Sequence, residues 1–331
     1  MATQEGVSLL MKTYEDVSEV HLQSAWVTVG SFDGVHLGHQ KIISDLVHAA
    51  HAANEQAVVV TFFPNPAVFL NNITLPYYLS SPSEKNALLA DLGVDVVVTI
   101  KFDRKVAKEG AEEFITALRQ HLNMKELWVG EGFALGRDRE GNAGVLRKLG
   151  KKLGFHFHQV GALQADGAPV SSSRIRVLLG EGDAEQAAFL LGRPYRLTGR
   201  VIHGESRGKR LGTPTANLEV WNKQLLPRDG IYATWLWWLR KRYPSVTNIG
   251  LRPTFQPSDE NSIVEPHIIG FDQDLYGQTL TVEFLKYLRP ETKFPSISQL
   301  KDQIQKDILD AEEIFSHAPK TPGLPARSKA I

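Results

Sequence analysis

VTVGSFDGVHLGHQ, residues 27–40, is the stretch on which the reading of the fold turns. A β-branched run ends at Gly30, turn residues follow at Asp33, Gly34 and Gly38, and His36 and His39 stand just where a helix starts, from about Gln40. A strand, a glycine-rich turn and a helix N-terminus together offer unpaired backbone N–H groups and the positive end of a helix dipole, which is how α/β proteins hold phosphate. At i and i+3 the two imidazoles share one face of the first helical turn, within reach of a single phosphoryl group. Two plainer readings compete. One is a pair of surface histidines after a turn; the other is a zinc pair, for which no further cluster of His, Asp or Glu supplies the remaining ligands. His48 and His51, in an alanine-rich helix, read as solvated surface.

Working outward, the strand-like runs WVTVG (26–30), VVVTFF (58–63), DVVVTI (95–100) and LWVG (127–130) alternate with helical stretches from about 40, over 83–92 and over 111–121. This βαβ repetition predicts a parallel sheet with helices on both faces and ligands at the carboxyl ends of the strands. After SSSRIRVLLGEGDAEQAAFLLGRPY (171–195) short strands punctuated by Gly, Pro and Asn take over: LTGRVIHG, TANLEV, GIYATWLWWL, SVTNIG, SIVEPHIIGF and LTVEFLKYL. That spacing predicts a small antiparallel barrel. A helix over 184–191 marks the join, and SISQLKDQIQKDILDAEEIF (296–315) has helical periodicity. The expected division is 1–183, 184–312 and a disordered, Pro-rich tail over 313–331.

A chain of 331 residues suits two domains. Lys and Arg total 37 and Asp and Glu total 37, so no basic face points to nucleic acid, which counts against an RNA-binding barrel, or to an anionic membrane. The absence of cysteine removes disulfides, thiolate metal sites and a cysteine nucleophile. With no apolar run long enough for a membrane span, the expectation is a cytoplasmic protein with neither membrane nor nucleic-acid partner, compatible with a homo-oligomer.

Two further segments carry chemistry. VSSSRIR (170–176) sets three hydroxyls before Arg174 and Arg176, a group suited to gripping a triphosphate or, more simply, to capping a helix. GRVIHGESRGKRLGTPTANLEV (199–220) places glycines around a basic turn and then Thr215 and Asn217, hard oxygen ligands alternating on one face of a strand and suited to Mg²⁺. A hairpin turn leading into a strand is its plainer reading. In YATWLWWLRKR, Trp235 and Trp237 fall on one face and Trp238 on the other, which reads as barrel packing before flavin contact.

GSFDGVHLGHQ with SSSRIR resembles the HxGH nucleotidyltransferases, and more closely the FAD synthetase module of bacterial bifunctional riboflavin kinase/FMN adenylyltransferases. LGTPTAN after a glycine-rich turn resembles the riboflavin kinase signature, as do NIGLRPTF (248–255), VEPHIIGF (264–271), and DLYG with the following LR and KF between 274 and 294. The likeness runs from about Val27 to about Asp307. It implies α/β plus β architecture: a Rossmann-like nucleotidyltransferase domain with a parallel sheet, then an antiparallel β-barrel of riboflavin kinase type with a terminal helix.

It also implies roles. In the first domain His36 and His39 contact ATP phosphates, Ser172, Ser173 and Arg174 clamp the triphosphate, and Gly30, Phe32, Asp33, Gly34 and Gly38 form the ATP turn. In the second, Gly204, Gly208, Lys209, Gly212 and Pro214 bind ATP, Thr215 and Asn217 hold Mg²⁺, and Glu265 is the base that draws the proton from the ribityl hydroxyl. Asn65 and Arg289 are the flavin neighbours. Riboflavin, FMN, FAD and ATP are the implied small-molecule partners.

The sequence departs from the family pattern at Asn65, where relatives carry TFxPHP, at Gly132, where they show Asp or Asn before Phe, and at Gly141-Asn142, where a Gly-Asp pair is common. Alongside the two-activity reading stand a riboflavin kinase whose nucleotidyltransferase domain has degenerated and a non-catalytic flavin-binding regulator.

Overall fold

The structure, a computed structural model, describes residues 11–203, 215–251 and 262–317. Of these, 11–75 and 82–170 form one compact unit, and 76–81 with 171–317 form a second.

The first unit is built on a six-stranded parallel sheet. Its strands are β1 (Lys12–Tyr14), β2 (Ala25–Val29), β3 (Gln56–Phe63), β4 (Val96–Lys101), β5 (Met124–Gly130) and β6 (His156–Val160), in the order β1-β4-β3-β2-β5-β6. Between them run α1 (Leu37–Ala52), α2 (Pro66–Leu70), α3 (Pro82–Asp91), α4 (Arg104–Lys108), α5 (Ala111–His121) and α6 (Ala143–Leu153). A two-stranded hairpin, β7 (Gln164–Ala165) and β8 (Ala168–Pro169), closes the unit.

Strands buried on both faces must be largely apolar, and the central strands β2, β3 and β4 are. On β3, Val58 and Val60 point to a core shared with Phe114, Ile115 and Leu118 of α5 and Leu146 and Leu149 of α6. Ala57 and Val59 point the other way, to Ile43, Leu46 and Ala50 of α1 and Leu89 of α3. The expected sheet with helices on both faces is therefore the observed one. From β2 the chain moves to one side for β3 and β4 and returns to the other for β5 and β6. The carboxyl ends of β2 and β5 thus form the topological switch point, where open α/β sheets place their ligands.

The second unit begins with α7 (Ser172–Glu181) and α8 (Ala184–Leu191). The junction expected between 183 and 184 falls between these two helices. Six antiparallel strands follow and close into a barrel in the order β10-β13-β12-β11-β14-β9: β9 (Tyr195–Ile202), β10 (Asn217–Val220), β11 (Gly230–Trp238), β12 (Lys241–Leu251), β13 (Ser262–Ile268) and β14 (Thr279–Arg289). Side chains alternate along each strand, so Tyr232, Leu236, Ile249, Val264 and Val282 fill the interior. Thr234, Ser245 and Thr247 bring hydroxyls into that core and satisfy one another, with Thr234 Oγ1 2.8 Å from Ser245 Oγ and 2.7 Å from Thr247 Oγ1.

The terminal helix, α9 (Ile297–His317), lies across β11 and β12. Residues 313–317, expected in the tail, continue it. The Arg289 guanidinium holds both Asp307 carboxylate oxygens of α9 at 2.8 Å, and the Trp235 ring lies 4.4 Å from that of Phe315. Trp237 is buried, and Trp238 packs against Tyr243 and Phe271. The three tryptophans thus divide between the faces as alternation requires, and each packs within the barrel unit.

The segment Pro76–Ser81, although it precedes α3, belongs to this second unit. Tyr77 and Tyr78 N–H both donate to the Lys223 carbonyl, and Leu225 N–H donates to the Tyr78 carbonyl.

Candidate functional site

At the end of β2 the chain turns sharply through Gly30–His36. Phe32, Gly34 and Val35 take left-handed φ values of 47°, 75° and 38°, a conformation that is costly for an aromatic and unusual for a β-branched residue. Burial offsets the cost, since the Phe32 and Val35 side chains sit in the core shared with α1 and α3. The turn delivers His36 as the N-cap of α1, its Nδ1 accepting from His39 N–H at 3.3 Å. An Nδ1 that accepts leaves the ring proton of the neutral imidazole on Nε2. The helix therefore starts three residues earlier than expected, because a histidine performs the capping more often done by Ser, Thr, Asp or Asn.

The rings of His36 and His39 stack with centroids 3.6 Å apart, and Phe32 meets His39 edge-on at 5.2 Å. Gly38 is required by close approach: a Cβ there would lie 3.2 Å from the His36 ring and 3.5 Å from the Val170 carbonyl. Asp33 and His36 are both buried. Two stacked, near-parallel imidazoles at a helix N-terminus, at the switch point of a parallel sheet, form a set of donors suited to an anion.

Asn65 follows a cis Phe63–Pro64 bond and caps α2, accepting from Ala67 N–H at 2.9 Å. Gly132, φ 73°, has open space where a side chain would project. Asn142 caps α6 by accepting from Gly144 and Val145 N–H. Ser172, Ser173 and Arg174 occupy the first turn of α7, capped by Ser171, whose hydroxyl accepts from Arg174 N–H at 3.3 Å. Arg176, read with Arg174 as a triphosphate contact, instead stacks 3.7 Å over the Tyr77 ring and donates to the Tyr77 carbonyl.

A second constellation lies on the barrel. Leu218 pairs with Val264 and Thr215 with His267, a register that sets Asn217 opposite Glu265. On the other side of β13, Glu265 pairs with Asn248 of β12. Residues directly opposite in an antiparallel pair, and those two apart on a strand, share a face. Thr215, Asn217, Glu265 and Asn248 are therefore brought to one face of three adjacent strands, opposite the face that carries Leu218 and Val264 into the interior. Hydroxyl, amide and carboxylate oxygens are the donor set a hard divalent cation takes. Gly204, Gly208, Lys209, Gly212 and Pro214 lie outside the described residues, as does the second half of the NIGLRPTF segment, 252–255. Arg289 is engaged by Asp307, as described above.

Two residues at these places escaped the sequence reading. Asn248, next to Glu265 in register, has a buried side-chain oxygen with no hydrogen-bond partner among the described residues. Lys85 is buried with its ammonium on the Gly30–His36 turn. Its signal was its place on the apolar stripe of α3, three and four residues before Leu88 and Leu89.

The FAD synthetase family pattern matches residues 18–174, which include both histidines and Arg174, and the riboflavin kinase pattern matches residues 191–315. Bifunctional riboflavin kinase/FMN adenylyltransferases of Haemophilus influenzae and Escherichia coli K12 are 37% and 35% identical to the chain. The first alignment covers 89% of this chain and 96% of the relative, the second 92% and 97%. A solved chain described as a macrolide-efflux protein from Streptococcus pneumoniae superposes with a TM-score of 0.83 at 30% identity, over 93% of this chain and 99% of its own. Among the described residues no helix is long and apolar enough to cross a membrane. With both patterns on one chain and relatives matched along nearly their whole length, the chain belongs to the bifunctional riboflavin kinase/FMN adenylyltransferase family.

Proposed function

We infer that the barrel phosphorylates riboflavin and the parallel-sheet unit adenylylates the product, each with ATP. The observation that supports this most is the presence in one chain of two unlike sites: a stacked histidine pair at a sheet switch point, and a carboxylate facing an amide across β10 and β13.

In the barrel, the ribityl 5′-hydroxyl oxygen attacks the γ-phosphorus, the bond to the ADP oxygen breaks, and Glu265 accepts the hydroxyl proton. Thr215 and Asn217, neighbours of Glu265 on one face, would hold Mg²⁺, which when bound neutralises charge on the β- and γ-phosphates. In the sheet unit a phosphate oxygen of FMN attacks the α-phosphorus of ATP and pyrophosphate leaves. His36 and His39 donate hydrogen bonds to the phosphates as their charge redistributes, and Ser172 and Arg174 grip the triphosphate. Asn65 is the flavin neighbour in the sheet unit, and Arg289, which holds Asp307 of α9, is the flavin neighbour in the barrel. A cysteine-free, ATP-using enzyme suits the cytoplasm.

Purified protein incubated with riboflavin, ATP and Mg²⁺, and separately with FMN, is expected to yield FAD in both cases on chromatography. FMN as the sole product would mean a kinase with a retired first domain, and no product would refute the enzyme reading. Gly38→Ala is expected to lower FAD formation about tenfold by pushing the His36 ring off its stack, with riboflavin phosphorylation unchanged. Kinetics of both half-reactions on one preparation check this.

A further inference from the structure

Lys85, on α3, is only 9% exposed. Its ammonium donates to Thr61 Oγ1 at 2.9 Å and to the Ser31 carbonyl at 3.4 Å, and the Thr61 hydroxyl donates to the same carbonyl at 3.1 Å. Ser31 opens the turn that passes through left-handed Phe32, Gly34 and Val35 to the cap of α1. One residue earlier, Gly30 N–H donates to the Val60 carbonyl of β3. The near end of the turn is thus fastened to β3 by backbone and to α3 by an ammonium. Conformations as strained as that of Val35 persist only where their surroundings over-determine them.

An ammonium is a poor choice for packing alone. Burying it costs the fold, and an apolar side chain of similar length would fill the space more favourably. Burial pushes the pKa of Lys85 down to about 8, against the opposing pull of Asp33 in the turn. Because the folded value lies below that of the unfolded chain, the unfolded state binds more protons between the two. The charge therefore weakens the fold at neutral pH, and stability is regained as pH rises above about 8. A lysine that costs stability and points at a strained turn is better explained by what the turn does.

We propose that Lys85 is a positioning residue for nucleotidyl transfer: it locks the Ser31 carbonyl, so that the turn keeps the shape that presents His36 and His39, and it keeps a positive charge against the turn that receives the ATP polyphosphate. This rests on the adenylyltransferase reading of that turn. Polyphosphate bound there favours the charged lysine, so protonation and ATP binding assist each other. The groups set against the ammonium are the Asp33 carboxylate from the turn and the uncharged Thr61 hydroxyl from β3.

The test uses the full chain. Lys85→Met is expected to lower kcat/KM for ATP in FAD formation about 100-fold, with riboflavin phosphorylation by the same preparation unchanged and the unfolding temperature equal to or above that of the wild type. Lys85→Arg keeps the charge and is expected to retain activity within about tenfold. In the wild type, kcat/KM for ATP falls as pH rises through about 8, and this inflection disappears in Lys85→Met. Should Lys85→Met fail to fold, Thr61→Val removes an acceptor from the ammonium and is expected to move the inflection to lower pH; an unmoved inflection overturns the proposal. So does FAD formation by Lys85→Met within about threefold of wild type, or a loss shared by Lys85→Arg and accompanied by a lower unfolding temperature. Wild-type protein that forms no FAD would refute the adenylyltransferase reading itself, and the proposal with it.

Discussion

Glu265→Gln is expected to lower riboflavin phosphorylation by about 1,000-fold while FAD formation from supplied FMN continues at the wild-type rate. The substitution keeps the shape of the side chain and removes its capacity to accept a proton. Glu265 sits on β13 between Asn217 of β10 and Asn248 of β12, so an amide there can still hydrogen-bond to neighbours on its own face and the barrel register has no reason to change. The loss should fall on kcat rather than on KM for ATP, since proton acceptance strengthens as the ribityl oxygen attacks. Separate rate measurements for the two half-reactions decide it. Equal loss in both would assign Glu265 to the fold rather than to the chemistry.

His36→Ala should produce the converse, a fall of about 100-fold in FAD formation with riboflavin phosphorylation intact. Two effects combine, because the variant loses a ring that can donate to phosphate and also loses the cap of α1. The capping share is about 1 kcal/mol of stability. His36→Asn separates them: asparagine caps well but does not reproduce the imidazole stacked on His39. Activity restored by asparagine would mean that only the cap matters, and unchanged FAD formation in the alanine variant would remove His36 from the mechanism.

Where local signals were strong, the sequence could be read closely. Helices expected over 111–121 and 184–191 have those bounds in the structure, where Asp183 caps the start of the second and Gly192 ends it in a left-handed conformation. The four central strands of the sheet are apolar runs and were found. The edge strand β6, HFHQV, is half polar and was not found, because only one neighbour and one face demand anything of it. α6 is absent from the sequence-based expectations although Asn142, its apolar residues and Gly154 all signal a helix. In the sites, the histidine pair is marked by its place after a glycine-rich turn and Glu265 by motif likeness alone, and the structure adds how the histidines are held. The contacts of Lys85, the engagement of Arg289 by Asp307 and the placing of Arg176 on Tyr77 depend on residues distant in sequence. No local pattern encodes such pairings.

Pro76–Ser81 carries a consequence for the architecture of the gene product. Among the described residues the chain crosses between its units after residues 75, 81 and 170, so no single cut separates them. A barrel fragment beginning at 171 would leave the Lys223 carbonyl, the Leu225 N–H and the Arg176 guanidinium without the partners that Tyr77 and Tyr78 supply. Six residues embedded in the first half are structural parts of the second. The two activities are therefore joined by a borrowed segment as well as by a peptide linkage, and a stand-alone kinase descended from such a chain would have had to replace that strap with one of its own.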